Sequence, residues 1–358
     1  MDIAKIDKNL ALNNTVVKDG KSFYTIPNAK FDLYGVFYDE AQNRFLRLDG
    51  EVAERVSAGV KGLNAHTAGG RLRFRTNSKS FAIRVTYPAF YIMSHMPISA
   101  QAGFTLLCED NAQPKLVNML TPRFDSANGF EATAGKMHKD GQMHDYILHF
   151  PLYGLVGSLT IVLDEDAVVK QGKKYRDIKP ILYYGSSITQ GGCASRADAS
   201  YQAMIAKWNN IDFINLGFSG SAKGEKEMAD YLSKIECSIF VCDYDYNAPT
   251  VEHLKNTHYP LYKAFRTAQP NTPILFITSP DYDNMLNAEE RSEVVYQTYQ
   301  RAKEEGDNKV WFLAGKTLFG DKDRDFCTVD GCHPNDLGFY RMAETIYKKL
   351  KEIDEIFA

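Results

Sequence analysis

Near the end of the chain, Asp330-Gly331-Cys332-His333 places a carboxylate three residues ahead of an imidazole. At that spacing the carboxylate can orient the ring and stabilise its protonated form, and the imidazole can take a proton from a hydroxyl. A suitable hydroxyl stands at Ser187, within Gly185-Ser186-Ser187-Ile188-Thr189-Gln190-Gly191-Gly192. A serine on a tight strand-to-helix turn is exposed, and the unpaired N–H groups of a helix start suit an oxyanion. Serine and glycine also simply make turns, so the stretch around Ser187 says little by itself. The chemistry that the two stretches suggest together is nucleophilic acyl transfer.

Two further polar stretches follow apolar runs. Asn215-Leu216-Gly217-Phe218-Ser219-Gly220 ends in a glycine that either lets a ligand approach the backbone or merely permits positive φ. Asp243-Tyr244-Asp245-Tyr246-Asn247-Ala248-Pro249 puts a run of polar side chains after a buried strand, which is costly unless they are hydrogen-bonded or open to a cleft. For Asn247 a helix cap or Asx turn is the competing role. His253 and His258 flank a predicted helix and read as structural.

These residues need a frame, and the chain supplies two rhythms. Over 31–38, 44–48, 72–75, 81–87, 103–108, 145–153 and 159–163 short apolar and aromatic runs recur. Several alternate, as in Phe81, Ile83 and Val85 against Arg84 and Thr86. Turn-rich stretches such as Ala68-Gly69-Gly70 and Ser126-Ala127-Asn128-Gly129 separate them. Seven or more short strands with almost no helical period predict an antiparallel β-sandwich or jelly roll.

From about residue 178 the period changes. Apolar strands are predicted at 181–184, 213–216, 239–242, 274–278 and 310–313, with helices near 201–208, 225–235, 251–268, 288–305 and 338–353. Alternating strands and helices predict a parallel sheet covered on both faces. Ligands of such sheets sit beyond the carboxyl ends of the strands, where the polar stretches fall. The expected domains are 1–170 and 178–358, joined through the charged segment 164–179.

Hydrophobic residues form 44% and charged residues 24% of the 358, a globular profile. A formal net charge of −3 gives no reason to expect nucleic acid or an anionic membrane as partner. The densest basic cluster, Arg71, Arg73 and Arg75, alternates along a strand and reads first as one solvated sheet face, with a basic binding patch as the lesser reading. No run approaches the roughly 18 apolar residues of a membrane helix. The start, Met1-Asp2-Ile3-Ala4-Lys5, lacks a secretory signal, so a cytoplasmic location is expected, the alternative being a secreted or periplasmic form whose signal is missing from this sequence. The six cysteines include no Cys-x-x-Cys pair; Cys237 and Cys242, like Cys327 and Cys332, have four residues between them. Reduced, buried thiols are expected rather than a disulfide framework or structural zinc.

The second half resembles the SGNH (GDSL) hydrolases over about 178–358. Gly185-Ser186-Ser187-Ile188-Thr189 is similar to the family's first block with Ser187 at the nucleophile; Gly220 and Asn247 are similar to the second-block glycine and third-block asparagine; Asp330 and His333 are similar to the DxxH of the fifth block. The resemblance implies a flavodoxin-like three-layer α/β/α domain and an oxyanion hole formed by the N–H of Ser187, the N–H of Gly220 and the amide of Asn247. Two departures stand out: Ser186 replaces the family's aspartate before the nucleophile, and Asn247 follows tyrosines and precedes Ala-Pro. The first half is similar to the β-sandwich of a two-domain subgroup with a Gly-x-Asp-Leu-Tyr signature; here Asp32-Leu33-Tyr34 is kept and Lys30 stands at the glycine.

Together these imply a serine esterase for short-chain, chiefly acetyl, esters on a carbohydrate, working through an acyl-enzyme and needing no metal or organic cofactor. The expected partner is a small-molecule or saccharide ester, and homo-oligomerisation is left open. Tyr244, Tyr246 and Phe218 could stack on a sugar, although packing is the ordinary role of aromatics at strand ends. An acyltransferase using the same triad and a non-catalytic carbohydrate-binding protein are the alternatives.

Overall fold

The structure, a computed structural model, describes residues 15–357. The first five residues, on which the signal-peptide expectation rests, lie outside that range. The described chain forms two compact units.

The first unit is built on two antiparallel sheets. In one the strands run, in spatial order, Thr15–Lys18, Lys21–Ile26, Ser158–Asp164, Phe81–Thr86 and Gly129–Ala134. In the other the order is Val169–Gln171, Arg71–Thr76, His144–His149, Phe104–Cys108 and Lys115–Leu120, with Asp32–Tyr34 also paired to Arg71–Thr76. The predicted alternation is present: Phe81, Ile83 and Val85 are buried while Arg84 and Thr86 are exposed. Their inner faces meet in one aromatic-rich core holding Phe74, Phe81, Phe104, Tyr146 and Phe150.

The solvated arginine face is a misreading. Arg71 and Arg73 are buried, and only Arg75 reaches solvent. The cause is acceptors carried by neighbouring chain: Arg71 donates to the Gly69 carbonyl at 2.5 Å, and Arg73 pairs with the equally buried Glu109 at 2.6 Å. Burial raises the Glu109 carboxyl above its ordinary value and the Arg73 charge opposes that shift.

The second unit carries a five-stranded parallel sheet in the spatial order Phe213–Gly217, Ile181–Gly185, Ile239–Asp243, Ile274–Ile277, Val310–Leu313. In chain order this is 2-1-3-4-5, the flavodoxin-like arrangement. Alternate residues of each strand serve opposite faces. Tyr183 packs on Tyr201 and Phe213 toward the helices Tyr201–Asn209 and Asp336–Ile353. Leu182 and Tyr184 join Phe240 and Phe276 in a core with Leu232, Leu254, Phe265 and Val294, from the helices Lys226–Leu232, Val251–Ala268 and Ala288–Glu304. The result is a three-layer α/β/α domain.

The domain boundary differs from a single cut near 170. Residues 48–64, inside the expected 1–170 block, belong to the second unit. They form two short helices, Gly50–Val56 and Ala58–Leu63, started by the Asp49 and Ser57 side chains accepting helix N–H groups. Leu48, Ala53, Val56 and Val60 enter the parallel sheet's core. Seventeen residues without strand alternation, embedded among strands, left too short a pattern to reveal that attachment. Among the described residues no helix is long and apolar enough to cross a membrane.

Removing one partner of a buried ion pair strands the other. Arg73→Met should therefore destabilise the sandwich unit by about 3–5 kcal/mol, and Arg73→Met with Glu109→Leu should recover most of that loss, as read from urea unfolding. A single variant as stable as the wild type would show that the pair is dispensable.

Candidate active site

The middle strand of three decides where the nucleophile stands. Ile181–Gly185 lies in register between Phe213–Gly217 and Ile239–Asp243, so Gly185 is flanked by Gly217 and Asp243. A side chain at 185 has no room: a Cβ there would lie 1.5 Å from Asp243 Oδ1 and 2.2 Å from Thr189 Oγ1. Directly after this glycine the chain turns into the one-turn helix Ser187–Gln190, with Ser186 as its N-cap accepting from the Ile188 N–H at 3.2 Å. Ser187 thus begins a helix beyond the carboxyl end of the first parallel strand.

His333 is placed by a loop tied to itself. One oxygen of Asp330 accepts the backbone N–H groups of Cys332 and His333 at 3.1 and 2.7 Å, while the other meets His333 Nδ1 at 2.7 Å. The Val329 N–H returns to the His333 carbonyl at 2.9 Å. Asn335 closes the loop by capping the following helix, accepting from Leu337 and Gly338. His333 Nε2 then lies 2.9 Å from Ser187 Oγ. Burial alone would raise the Asp330 carboxyl, but its hydrogen bonds from the His333 backbone and ring hold it below the ordinary value. It is therefore an anion beside the imidazole across the neutral range. Ser187 is buried, whereas His333 and Asp330 keep part of their side chains open to solvent.

Gly220 and Asn247 stand at the same sheet edge. The chain leaving Phe213–Gly217 is held against the serine turn by Phe218 N–H donating to the Gly185 carbonyl at 2.8 Å and Ser219 N–H donating to Gln190 Oε1 at 3.0 Å. Gly220 follows with φ +67°, a conformation that disfavours side chains, in an exposed position. Asn247 closes the short 3₁₀ turn Asp245–Asn247 after the third strand, its N–H donating to the Tyr244 carbonyl at 3.0 Å. Its side-chain oxygen is buried with no hydrogen-bond partner among the described residues.

Beneath the serine turn lies a group that the sequence reading placed only within a polar stretch. Asp243 is buried and accepts from the Thr189 hydroxyl, from the Tyr201 hydroxyl at 3.0 Å and from the Ser186 backbone. A carboxylate thus supports the turn from the neighbouring strand, although Ser186 supplies none. Burial pushes the Asp243 carboxyl up to about 7, against the hydroxyls that favour its charged form. Asp245 is used differently, accepting the Ser279 N–H and hydroxyl at 3.1 and 2.9 Å, while Arg291 donates to the Asp245 and Ala248 carbonyls. Together these bonds hold the turn that carries Asn247.

Phe218 and Tyr244 are core residues and do not present a sugar-stacking face; Tyr244 spends its hydroxyl on Thr257 at 2.9 Å. Tyr246 alone of the three is half-exposed. Cys332 lies against Tyr246 and Asp281, and burial pushes its thiol up to about 12, so it is not a nucleophile at neutral pH. None of the six cysteines is in a disulfide. His258 is buried between Tyr244 and Phe276, and His253 bonds the Lys223 carbonyl at 2.8 Å, so both serve structure.

The GDSL-like lipase/acylhydrolase family model matches residues 178–351, and the model for the N-terminus of SGNH-hydrolase-type esterases (GxDLY) matches 21–169. Residues 178–351 belong to the GDSL-like lipase/acylhydrolase family. Within it, this acylhydrolase has the two-domain architecture, and it keeps that form without the signature glycine at Lys30. It is similar to a GDSL-like lipase from Bacteroides ovatus, with 26% identity, 92% of this chain and 98% of the other covered, and a TM-score of 0.83. It shares its fold with a salicylyl-acyltransferase from a tetracycline biosynthetic pathway, at 16% identity, coverage of 94% and 98%, and a TM-score of 0.76. The fold also matches an acetyl xylan esterase from the rumen bacterium Butyrivibrio proteoclasticus, at 13% identity, coverage of 95% and 100%, and a TM-score of 0.60. Among curated proteins the sequence finds no match.

The raised Asp243 pKa has a stability consequence of definite sign. The folded state holds this proton up to about 7, whereas the ordinary value is 3.8. Between those values the native state binds more protons than the unfolded chain, so this group's contribution falls as pH rises through the window. Compared with Asp243→Asn, the acylhydrolase should lose stability from about pH 4 to about pH 7, measured by denaturation of both proteins across that range. Parallel curves would show that Asp243 does not titrate there.

Proposed function

We propose that this acylhydrolase is a serine esterase that removes short acyl groups, chiefly acetyl, from a carbohydrate through an acyl-enzyme on Ser187. The observation that carries the reading is the continuous hydrogen-bonded line from Asp330 through His333 to Ser187. In this reading Ser187 Oγ attacks the ester carbonyl while His333 Nε2 takes its proton. Asp330, bonded to the other ring nitrogen, fixes the tautomer and stabilises the imidazolium. His333 then returns the proton to the departing alcohol. Water, activated by the same imidazole, releases the acid and restores Ser187.

The oxyanion is assigned to the N–H groups of Ser187 and Gly220 and the Asn247 amide. Supporting this, their three loops leave adjacent strands at one sheet edge, and positive φ at Gly220 turns the local backbone where a side-chain residue would be strained. The acetyl and carbohydrate parts rest on the family resemblance and on the fold shared with an acetyl xylan esterase. The fold shared with an acyltransferase keeps a second reading in view, because the same acyl-enzyme can pass its acyl group to a hydroxyl acceptor.

The test is hydrolysis of acetyl, butyryl and longer-chain chromogenic esters, followed by acetylated oligosaccharides with product analysis. Acetyl-selective turnover is expected, lost in Ser187→Ala and reduced about 10²–10³-fold in kcat in Asn247→Ala. Turnover that persists in Ser187→Ala would overturn the proposal. Turnover that needs an added hydroxyl acceptor would replace esterase by transferase.

A further inference from the structure

Away from the serine, the sandwich unit gathers four metal-ligating side chains. Cys108 ends the strand Phe104–Cys108, and Asp110 follows two residues later. His144 begins the antiparallel partner strand His144–His149, whose Tyr146 stands opposite Cys108, and His138 lies in the preceding loop. The ligand atoms of Cys108, Asp110, His138 and His144 all lie within 4.8 Å of one another. In a tetrahedral site with metal–nitrogen and metal–sulfur bonds of about 2.0 and 2.3 Å, ligand atoms are roughly 3.3–3.6 Å apart. A small contraction of the group would close it around an ion.

The surroundings hold the donors in place. Asp110 Oδ1 accepts the Asp145 N–H at 2.9 Å, which leaves Oδ2 facing His144 Nδ1 at 2.5 Å. The other ring nitrogen of His144 meets Asp140 at 2.9 Å, the outer carboxylate that commonly orients a metal-bound histidine. His138 is fixed by the Tyr146 hydroxyl, 3.1 Å from Nδ1, and its ring stacks on His144 with centroids 3.9 Å apart. The Glu109 N–H donates to the Asp145 carbonyl at 2.7 Å and locks the two strand ends together.

We propose that Cys108, Asp110, His138 and His144 form a binding site for one zinc-like divalent ion in the sandwich unit, with Asp140 as the outer partner of His144. One thiolate, two imidazoles and one carboxylate suit a borderline-soft ion in tetrahedral geometry and do not suit magnesium or calcium, which take oxygen ligands. The ion displaces the proton shared by His144 and Asp110, and that proton and the Cys108 thiol proton both pass to solvent. It would tie two adjacent strand ends and a loop together and so stabilise the unit. The Cys-x-Asp spacing ends one strand and the His-x₅-His spacing leads into its partner, so strand pairing, rather than any compact motif, brings them together.

The test uses the full-length, chelator-treated protein under reducing conditions. Zinc alone should bind with one-to-one stoichiometry in calorimetry and raise the melting temperature. Cobalt in its place should give thiolate-to-metal charge-transfer absorption. Cys108→Ser and His144→Asn should abolish both effects, and Asp140→Asn should weaken zinc binding about 10–100-fold. Ser187→Ala and Cys332→Ser should bind as the wild type does, which separates this site from the Asp330-Cys332-His333 group. The metal-free melting temperature of each variant checks that it folds, and the wild-type cobalt spectrum reports thiolate ligation without any substitution. No saturable zinc binding, no thiolate band, or a band lost in Cys332→Ser and kept in Cys108→Ser would overturn the proposal.

Discussion

The close approach of three strand ends at Gly185 is the constraint on which the second unit's chemistry depends. Parallel pairing sets Gly185 between Gly217 and Asp243, and the missing Cβ leaves space for the Asp243 carboxylate. That carboxylate holds Thr189, Tyr201 and the Ser186 backbone, so the serine turn is built around a buried acid. Burying an acid is costly unless it is hydrogen-bonded or protonated, and Asp243 has hydrogen-bond partners together with a pKa raised toward neutrality. The precision of Ser187 therefore comes from the strand beneath it as much as from its own helix.

His333 is held by a different device. The Asp330 loop is a local structure in which one carboxylate accepts two backbone N–H groups and faces the ring of its own loop's histidine. Such a loop can position an imidazole while staying partly solvated, which suits the proton-transfer role proposed for His333. The pairing of a buried serine with a more open Asp-His loop fits the division of roles proposed for a nucleophile and its base.

Much of this was legible in the sequence because it is local. The period change near residue 178, the five parallel strands and the long helices follow from apolar spacing, and the 251–268 helix and 310–313 strand have the predicted bounds. Ser187, Asp330 and His333 declare themselves through residue types suited to the task, and the structure brings the three within hydrogen-bond reach. What was hidden depends on contacts distant in sequence. The Arg71 and Arg73 alternation looked like a solvated face because Glu109, 36 residues beyond Arg73, was not visible as its partner. Helices at 50–63 were embedded among strands, and their place in the other unit's core depends on packing. Asp243 lay within a stretch already read as polar, but its position under Ser187 required the strand register.

The role proposed for Ser187 is that of a nucleophile activated by His333. The direct measurement is intact-mass and peptide mass spectrometry after exposure to a fluorophosphonate, a reagent that captures activated serines. One adduct is expected, on Ser187, formed rapidly in the wild type and very slowly in His333→Ala. An adduct on another serine, or equal labelling with and without His333, would contradict it.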